Sequence, residues 1–67
     1  MSMICNVIVT KEDDTYIAKD LQTSVADQGD TLEEALMNLR DALTLYYEDN
    51  TPVETEHVFY TTLEVNV

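Results

Sequence analysis

The sequence predicts a two-layer α+β domain in which one helix packs on a mixed four-stranded sheet, in the element order β-β-β-α-β. Three observations indicate this fold class. Short alternating segments occupy the first part of the chain, a long stripe with helical spacing occupies the middle, and a second alternating segment ends it. With 67 residues the chain is expected to form one small domain, residues 1–67.

Three strands are predicted before the helix. Residues 3–10 (MICNVIVT) are short, rich in β-branched side chains and followed by the charged turn KEDD. Residues 15–21 (TYIAKDL) alternate again and are expected to pair back as a hairpin, and residues 24–28 (SVADQ) are expected to form a short third strand. These three strands can form an antiparallel meander.

The helix is predicted from residue 32 to about residue 49. Thr31 can cap it by accepting from the backbone N–H of Glu34, while the Glu34 side chain reaches back to Thr31 in a capping box. Gly29 is expected to supply a positive φ at the entry. The apolar stripe follows the i, i+3, i+4 rule and comprises Leu32, Ala35, Leu36, Leu39, Ala42, Leu43 and Tyr46.

A long final strand is predicted over residues 58–67 (VFYTTLEVNV). One of its faces carries Phe59, Leu63, Val65 and Val67. A right-handed crossover through the helix would place this strand parallel to the first one, giving the sheet order 3-2-1-4.

The first strand is apolar on both faces, although one helix can cover only one face of a sheet. Cys5, Val7 and Val9 lie on one side, and Ile4 and Ile8 lie on the other. Because an antiparallel sheet that faces water normally shows polar residues there, Ile4, Ile8 and Tyr60 are candidates for a homodimer or higher-oligomer interface, or for contact with another protein.

The charge balance limits the classes of partner. Fourteen acidic residues face three basic ones, for a net charge of -11. Direct binding to nucleic acid is not expected, because it needs basic side chains that neutralise phosphates. A basic protein is the complementary partner, although acidity can also serve solubility alone. We expect no membrane span and no signal peptide, and a cytoplasmic location is the default.

No catalytic or metal-binding pattern appears in the sequence. Cys5 alternates with strand valines and is expected to be a buried structural thiol, and His57 has no nucleophile placed by motif. Gly29 is the only glycine, so a phosphate-binding glycine loop is excluded. The first strand contains no carboxylate for a two-metal nuclease, although β-β-β-α-β also opens the ribonuclease H fold. We therefore expect no enzyme, no cofactor and no metal.

Residues 16–49 (YIAKDLQTSVADQGDTLEEALMNLRDALTLYYED) resemble the HicB antitoxin family. Its pattern joins a Y-[VI]-A strand to a helix of the form Q-G-D-T-x-E-E-A-L-x-N-L-[KR]-[ED]-A-[LI]-x-L-Y. TTLEV at residues 61–65 is similar to the closing strand of short members. Many members carry Pro-Gly-Cys before Q-G-D-T, whereas residues 21–24 here read LQTS, as in a shorter branch. The matching residues include Tyr16, Ala18, Gln28, Gly29, Asp30, Thr31, Glu33, Glu34, Ala35, Leu36, Asn38, Leu39, Arg40, Ala42, Leu45 and Tyr46.

The resemblance implies a partial ribonuclease H-like fold and a role as an antitoxin that binds and neutralises HicA, a small basic ribonuclease that cleaves mRNA. The sequence ends with the last strand, so the C-terminal DNA-binding domain of longer members is not expected. Candidate partner contacts, chosen by charge and placement, are Glu12, Asp13, Asp14, Asp20 and Asp27. The alternative is an orphan homo-oligomeric scaffold or ligand-binding domain without a toxin.

Overall fold

A computed structural model of the chain describes residues 3–53 and 58–67. It confirms an α+β fold in which three antiparallel strands, in the spatial order β1-β2-β3, precede one helix. The helix packs on β2 and β3. The elements are β1 (Val7–Glu12), β2 (Thr15–Asp20), β3 (Ala26–Gly29) and α1 (Leu32–Asp49).

The β1–β2 hairpin turns through only two residues, because Glu12 pairs with Thr15. Asp13 takes a positive φ of 55° in this turn. A short Asp side chain tolerates that left-handed region better than most residues do. The acidic KEDD sequence is thus also the sequence that closes the hairpin.

The helix begins with the predicted cap. The Thr31 hydroxyl accepts from the Glu34 N–H at 3.1 Å, but the Glu34 carboxylate accepts from Asp30 N–H at 3.3 Å rather than from Thr31. Gly29 also differs from the prediction, because no glycine among the described residues has a positive φ. Close packing requires glycine at this position instead: a Cβ on Gly29 would lie 2.5 Å from the backbone nitrogen of Ala35.

The core lies between the helix and the inner face of the sheet. Its buried hydrophobic residues are Ala18, Ala35, Leu39 and Leu43. Of the two adjacent tyrosines, Tyr47 packs against this cluster, although the helical stripe favoured Tyr46. Their rings make an edge-to-face contact with centroids 5.0 Å apart, which fixes one against the other.

The two faces of β1 divide as the alternation predicts. Cys5, Val7 and Val9 pack toward the core, whereas Ile4 and Ile8 are exposed. The strand itself begins at Val7, four residues later than the pattern indicates. The preceding residues are tied to the sheet by a backbone hydrogen bond from Leu21 N–H to the carbonyl oxygen of Asn6 at 2.9 Å.

The described sheet contains three strands, not the predicted four. Residues 58–67 form neither a strand nor a helix. The alternation of residues 58–67 defines which side chains would share a face. A strand also has to pair with the edge of another strand, and sequence periodicity does not specify that edge. None of the helices in the described parts of the chain is long and apolar enough to cross a membrane.

The last turn of the helix offers a direct test of its electrostatics. Glu48 and Asp49 lie where the helix dipole is negative, and that turn contains no basic residue. Asp49→Lys is therefore expected to raise the free energy of unfolding by about 0.5 kcal/mol more than Asp41→Lys. The two exposed positions undergo the same change of charge, so urea denaturation of both variants isolates the dipole contribution. Equal effects would contradict it.

Candidate protein-binding surfaces

Of the residues considered for chemistry, Cys5 is half-buried and packs against the hydrophobic core. Burial and the nearby Asp20 raise the pKa of the Cys5 thiol, which disfavours the nucleophilic thiolate. Within residues 3–53 and 58–67, no group of three or more His, Cys, Asp or Glu side chains could hold a metal ion. His57 lies outside the described residues.

The acidic tip of the molecule is the β1–β2 hairpin. Glu12, Asp13 and Asp14 are consecutive and all exposed, and they lie at the turn that closes the β1–β2 hairpin. Lys11 is the neighbouring cation, and its ammonium lies 5.5 Å from the centroid of the Tyr16 ring. We call Glu12, Asp13 and Asp14 the acidic tip.

Asp20 lies in a different setting from the acidic tip. Only 1% of its surface is exposed. Its Oδ2 accepts from the Thr23 backbone N–H at 2.8 Å and from the Thr23 hydroxyl at 2.7 Å. The Thr23 hydroxyl oxygen accepts in turn from the Val25 N–H at 3.1 Å. This carboxylate closes the β2–β3 connection and does not face an approaching protein.

The same hydrogen-bonded connection holds a strained residue. Ser24 has a φ of 65°, and its N–H donates to the Asp20 carbonyl oxygen at 3.0 Å. The Asp20 N–H donates to the Val25 carbonyl oxygen at 2.9 Å. Bonds from both the side chain and the backbone of Asp20 therefore offset the cost of the left-handed turn.

Asp27 lies on β3, away from the acidic tip. It pairs with Ala18, so its side chain shares the helix-covered face of the sheet, where it is half-buried. Its Oδ1 accepts from the Gln28 N–H at 2.8 Å. The five predicted contact carboxylates thus occupy three separate places, and only the acidic tip is a continuous exposed set.

The three oligomer-interface candidates lie near one another. Ile4 is 89% exposed and Ile8 is 44% exposed. The Tyr60 hydroxyl donates to Oδ1 of Asn6, the residue midway between them along the chain, at 3.0 Å. Ile4, Ile8 and Tyr60 therefore flank one exposed region beside β1.

A groove runs between the inner face of β1 and the helix. Its volume is about 730 Å³. We call it the β1–α1 groove. Its lining is mostly apolar and includes Cys5, Val7, Leu36, Leu39, Leu43 and Tyr47, together with the polar residues Arg40, Thr44 and Glu48. Burial and the nearby Asp20, Cys5 and Tyr46 raise the pKa of the Tyr47 hydroxyl, which favours its neutral form beside this lining.

Two features of these surfaces were not predicted from the sequence. The β1–α1 groove depends on where the helix crosses the sheet, which periodicity does not specify. Asn38 lies outside the predicted apolar stripe of the helix, but its side-chain amide donates to the Gln28 carbonyl oxygen at 2.8 Å and ties the helix to β3. The QGDT stretch and Asn38 are therefore parts of one helix-docking arrangement.

The model of a family of unknown function, DUF7387, matches residues 5–67 of the chain. No curated protein and no solved structure matches the chain.

Proposed function

We propose that this chain, which belongs to the DUF7387 family of unknown function, is a small cytoplasmic antitoxin that binds and neutralises a basic HicA-type ribonuclease by occlusion. The exposed acidic tip carries the proposal, since a protein with a net charge of -11 attracts a basic partner over long range. The resemblance of residues 16–49 to HicB proteins supplies the class of partner.

Occlusion needs no turnover by this chain. A basic ribonuclease must approach the RNA backbone through its cationic surface. An acidic protein bound to that surface would compete with RNA both sterically and electrostatically. In this mechanism Glu12, Asp13 and Asp14 guide and orient the encounter, while exposed apolar residues around the rim supply contact area.

The proposal extends to the fold. A strand with the sequence of residues 58–67 would complete the sheet beside β1, in the order 3-2-1-4, in a partial ribonuclease H-like β-β-β-α-β arrangement, and the origin of that strand in the same or a second copy is the subject of a separate test below. The alternation of these residues and the apolar β1–α1 groove beside that edge support the addition.

The test compares two variants of equal charge. In the tip variant, Glu12→Gln, Asp13→Asn and Asp14→Asn remove three carboxylates while leaving Asn, which tolerates a positive φ, at position 13. In the control, Glu33→Gln, Asp41→Asn and Asp49→Asn remove three exposed carboxylates from the helix. At low salt the tip variant is expected to bind a purified HicA-type toxin about tenfold more slowly than the control.

Binding rates would be measured by stopped-flow fluorescence over a series of salt concentrations, with inhibition of RNA cleavage as the second readout. The tip variant should also lose more of the salt dependence than the control does. Equal rates for the two variants would remove the acidic tip from the mechanism. Failure of the unmodified chain to bind or inhibit any toxin encoded beside its gene would reject the antitoxin proposal.

One observation favours a second candidate function. The β1–α1 groove, at about 730 Å³, has the size of a small-molecule site and an apolar lining. An orphan homo-oligomeric scaffold or ligand-binding domain would use it without a toxin. The absence of a short basic reading frame beside the gene, together with no inhibition of HicA-type toxins, would favour this candidate.

A further inference from the structure

The outer edge of β1 is open. Among the described residues β1 pairs with β2 alone, so the backbone N–H and C=O groups on its other side have no strand beside them. Such an edge is a template for another strand. Residues 3–6 precede β1 along this edge. Their sequence predicts a strand, but the pairing of β1 with β2 begins only at Val7.

Residues 58–67 are strand-like in sequence but contribute little to the core. Leu63 is 86% exposed, Val65 is 65% exposed and Val67 lies fully in solvent. These three side chains alternate with Thr62, Glu64 and Asn66, so an extended conformation gives one apolar and one polar face. An apolar face of this kind needs a surface to cover it.

The start of this segment lies at β1. The Tyr60 hydroxyl is hydrogen-bonded to Asn6, which lies just before β1 in the chain. Because side chains alternate along an extended chain, a Tyr60 on the outer side would direct Leu63 and Val65 toward the other side, where the β1–α1 groove opens.

We infer that residues 61–67 of one copy of this chain add as a strand to the open edge of β1 of a second copy, with Leu63, Val65 and Val67 in that copy's β1–α1 groove. A second copy then explains both differences from the predicted strands, namely the start of β1 at Val7 and the absence of a strand at residues 58–67. It pairs the residues before Val7 and it gives the last segment an edge.

The single chain is more extended than a compact domain of its length. Its radius of gyration is 13.6 Å, against about 11 Å for a compact domain of this length. Tyr60 is held beside Asn6, yet the residues after it do not pair with their own β1. Reciprocal exchange buries two segments in two equivalent grooves, as a two-fold dimer requires.

The small size of the hydrophobic core also favours association with a second copy. Only Ala18, Ala35, Leu39 and Leu43 are buried hydrophobic residues within the described ranges. A domain this small usually needs an additional stabilising element. Cys5 is the only cysteine, so the chain cannot supply an internal disulfide. A second copy of the chain provides apolar contact without any cofactor.

The first experiment is light scattering on the full chain with a matched pair of variants. The unmodified protein is expected at twice the chain mass of 7.6 kDa. Leu63→Asp should raise the dissociation constant of the dimer about 100-fold or more. Leu45→Asp, at an exposed position of the helix outside the groove, should leave the dimer intact. Circular dichroism of each variant checks that the helix is retained.

The second experiment distinguishes exchange from closure within one chain. A short bismaleimide is added to Leu63→Cys, in which the native Cys5 lies in the groove. Exchange predicts a covalent dimer on a denaturing gel, and this product should disappear in the Cys5→Ser, Leu63→Cys double variant. Closure within one chain predicts a cross-linked monomer instead.

Each outcome decides the inference. A monomer at all concentrations, a dimer that survives Leu63→Asp, or a cross-linked monomer would overturn it. None of these measurements contains a toxin, so the exchange and the proposed antitoxin function can fail separately.

Discussion

Gly29→Ala is expected to lower the free energy of unfolding by about 3 kcal/mol, as overpacking against rigid neighbours does. The added Cβ would lie 2.5 Å from Ala35 N and 2.9 Å from the Glu34 carbonyl carbon. These are backbone atoms of the first helical turn, so no change of side-chain rotamer can relieve the contact. The helix must move away from β3 or the strand must bend.

Two opposing effects decide the sign of this prediction. At a residue without positive φ, Gly→Ala normally stabilises by about 0.4–1 kcal/mol, because it restricts the unfolded chain. At Gly29 the free-energy cost of the close contact with Ala35 is expected to be larger than that stabilisation. Urea denaturation measures the balance, with Gln28→Ala as an exposed neighbouring control expected to change stability by less than about 0.5 kcal/mol. An alanine variant as stable as the unmodified chain would show that the helix can shift freely.

Asp20→Ala is the second change with a large expected effect, a loss of about 3 kcal/mol. It removes the side-chain acceptor of two hydrogen bonds from Thr23 and leaves the Thr23 N–H without that partner. The position is 1% exposed, so water replaces the carboxylate poorly. Loss of this contact is expected to loosen the whole β2–β3 connection, including the left-handed Ser24.

A graded pair of controls separates the role of Asp20 in the fold from a role in binding. Asp20→Asn keeps a carbonyl acceptor and is expected to lose about 1 kcal/mol, the difference being the charge. Asp27→Ala, at a half-buried position, should cost less than Asp20→Ala. Thermal unfolding orders the three variants. If Asp20→Asn slowed toxin binding as much as the tip variant at unchanged stability, Asp20 would act as a contact.

The candidate binding surfaces were predictable only in part. The acidic tip follows from three consecutive carboxylates in a turn, and consecutive exposed residues stay together in any fold. Asp20 has the same chemistry and a similar place in the sequence, yet it is buried, because the turn after β2 folds Thr23 back onto it. Their charge made both the acidic tip and Asp20 candidates for binding. Only the tertiary structure shows that the acidic tip is exposed and that Asp20 is buried.

What the sequence by itself determined was the local structure: the Thr31 cap, the helix from Leu32 to Asp49, the hairpin at Asp13–Asp14 and the two faces of β1. These depend on residue spacing and on bonds within a few positions, so the sequence carries them directly. Only the tertiary structure decided the contact beneath Gly29, the bond from Asn38 to Gln28 and the β1–α1 groove. Each of these joins elements that are distant along the chain or fixes how closely they approach, and periodicity specifies neither. The same holds for residues 58–67. Their alternation predicts a strand, but the local sequence does not specify which strand edge they pair with.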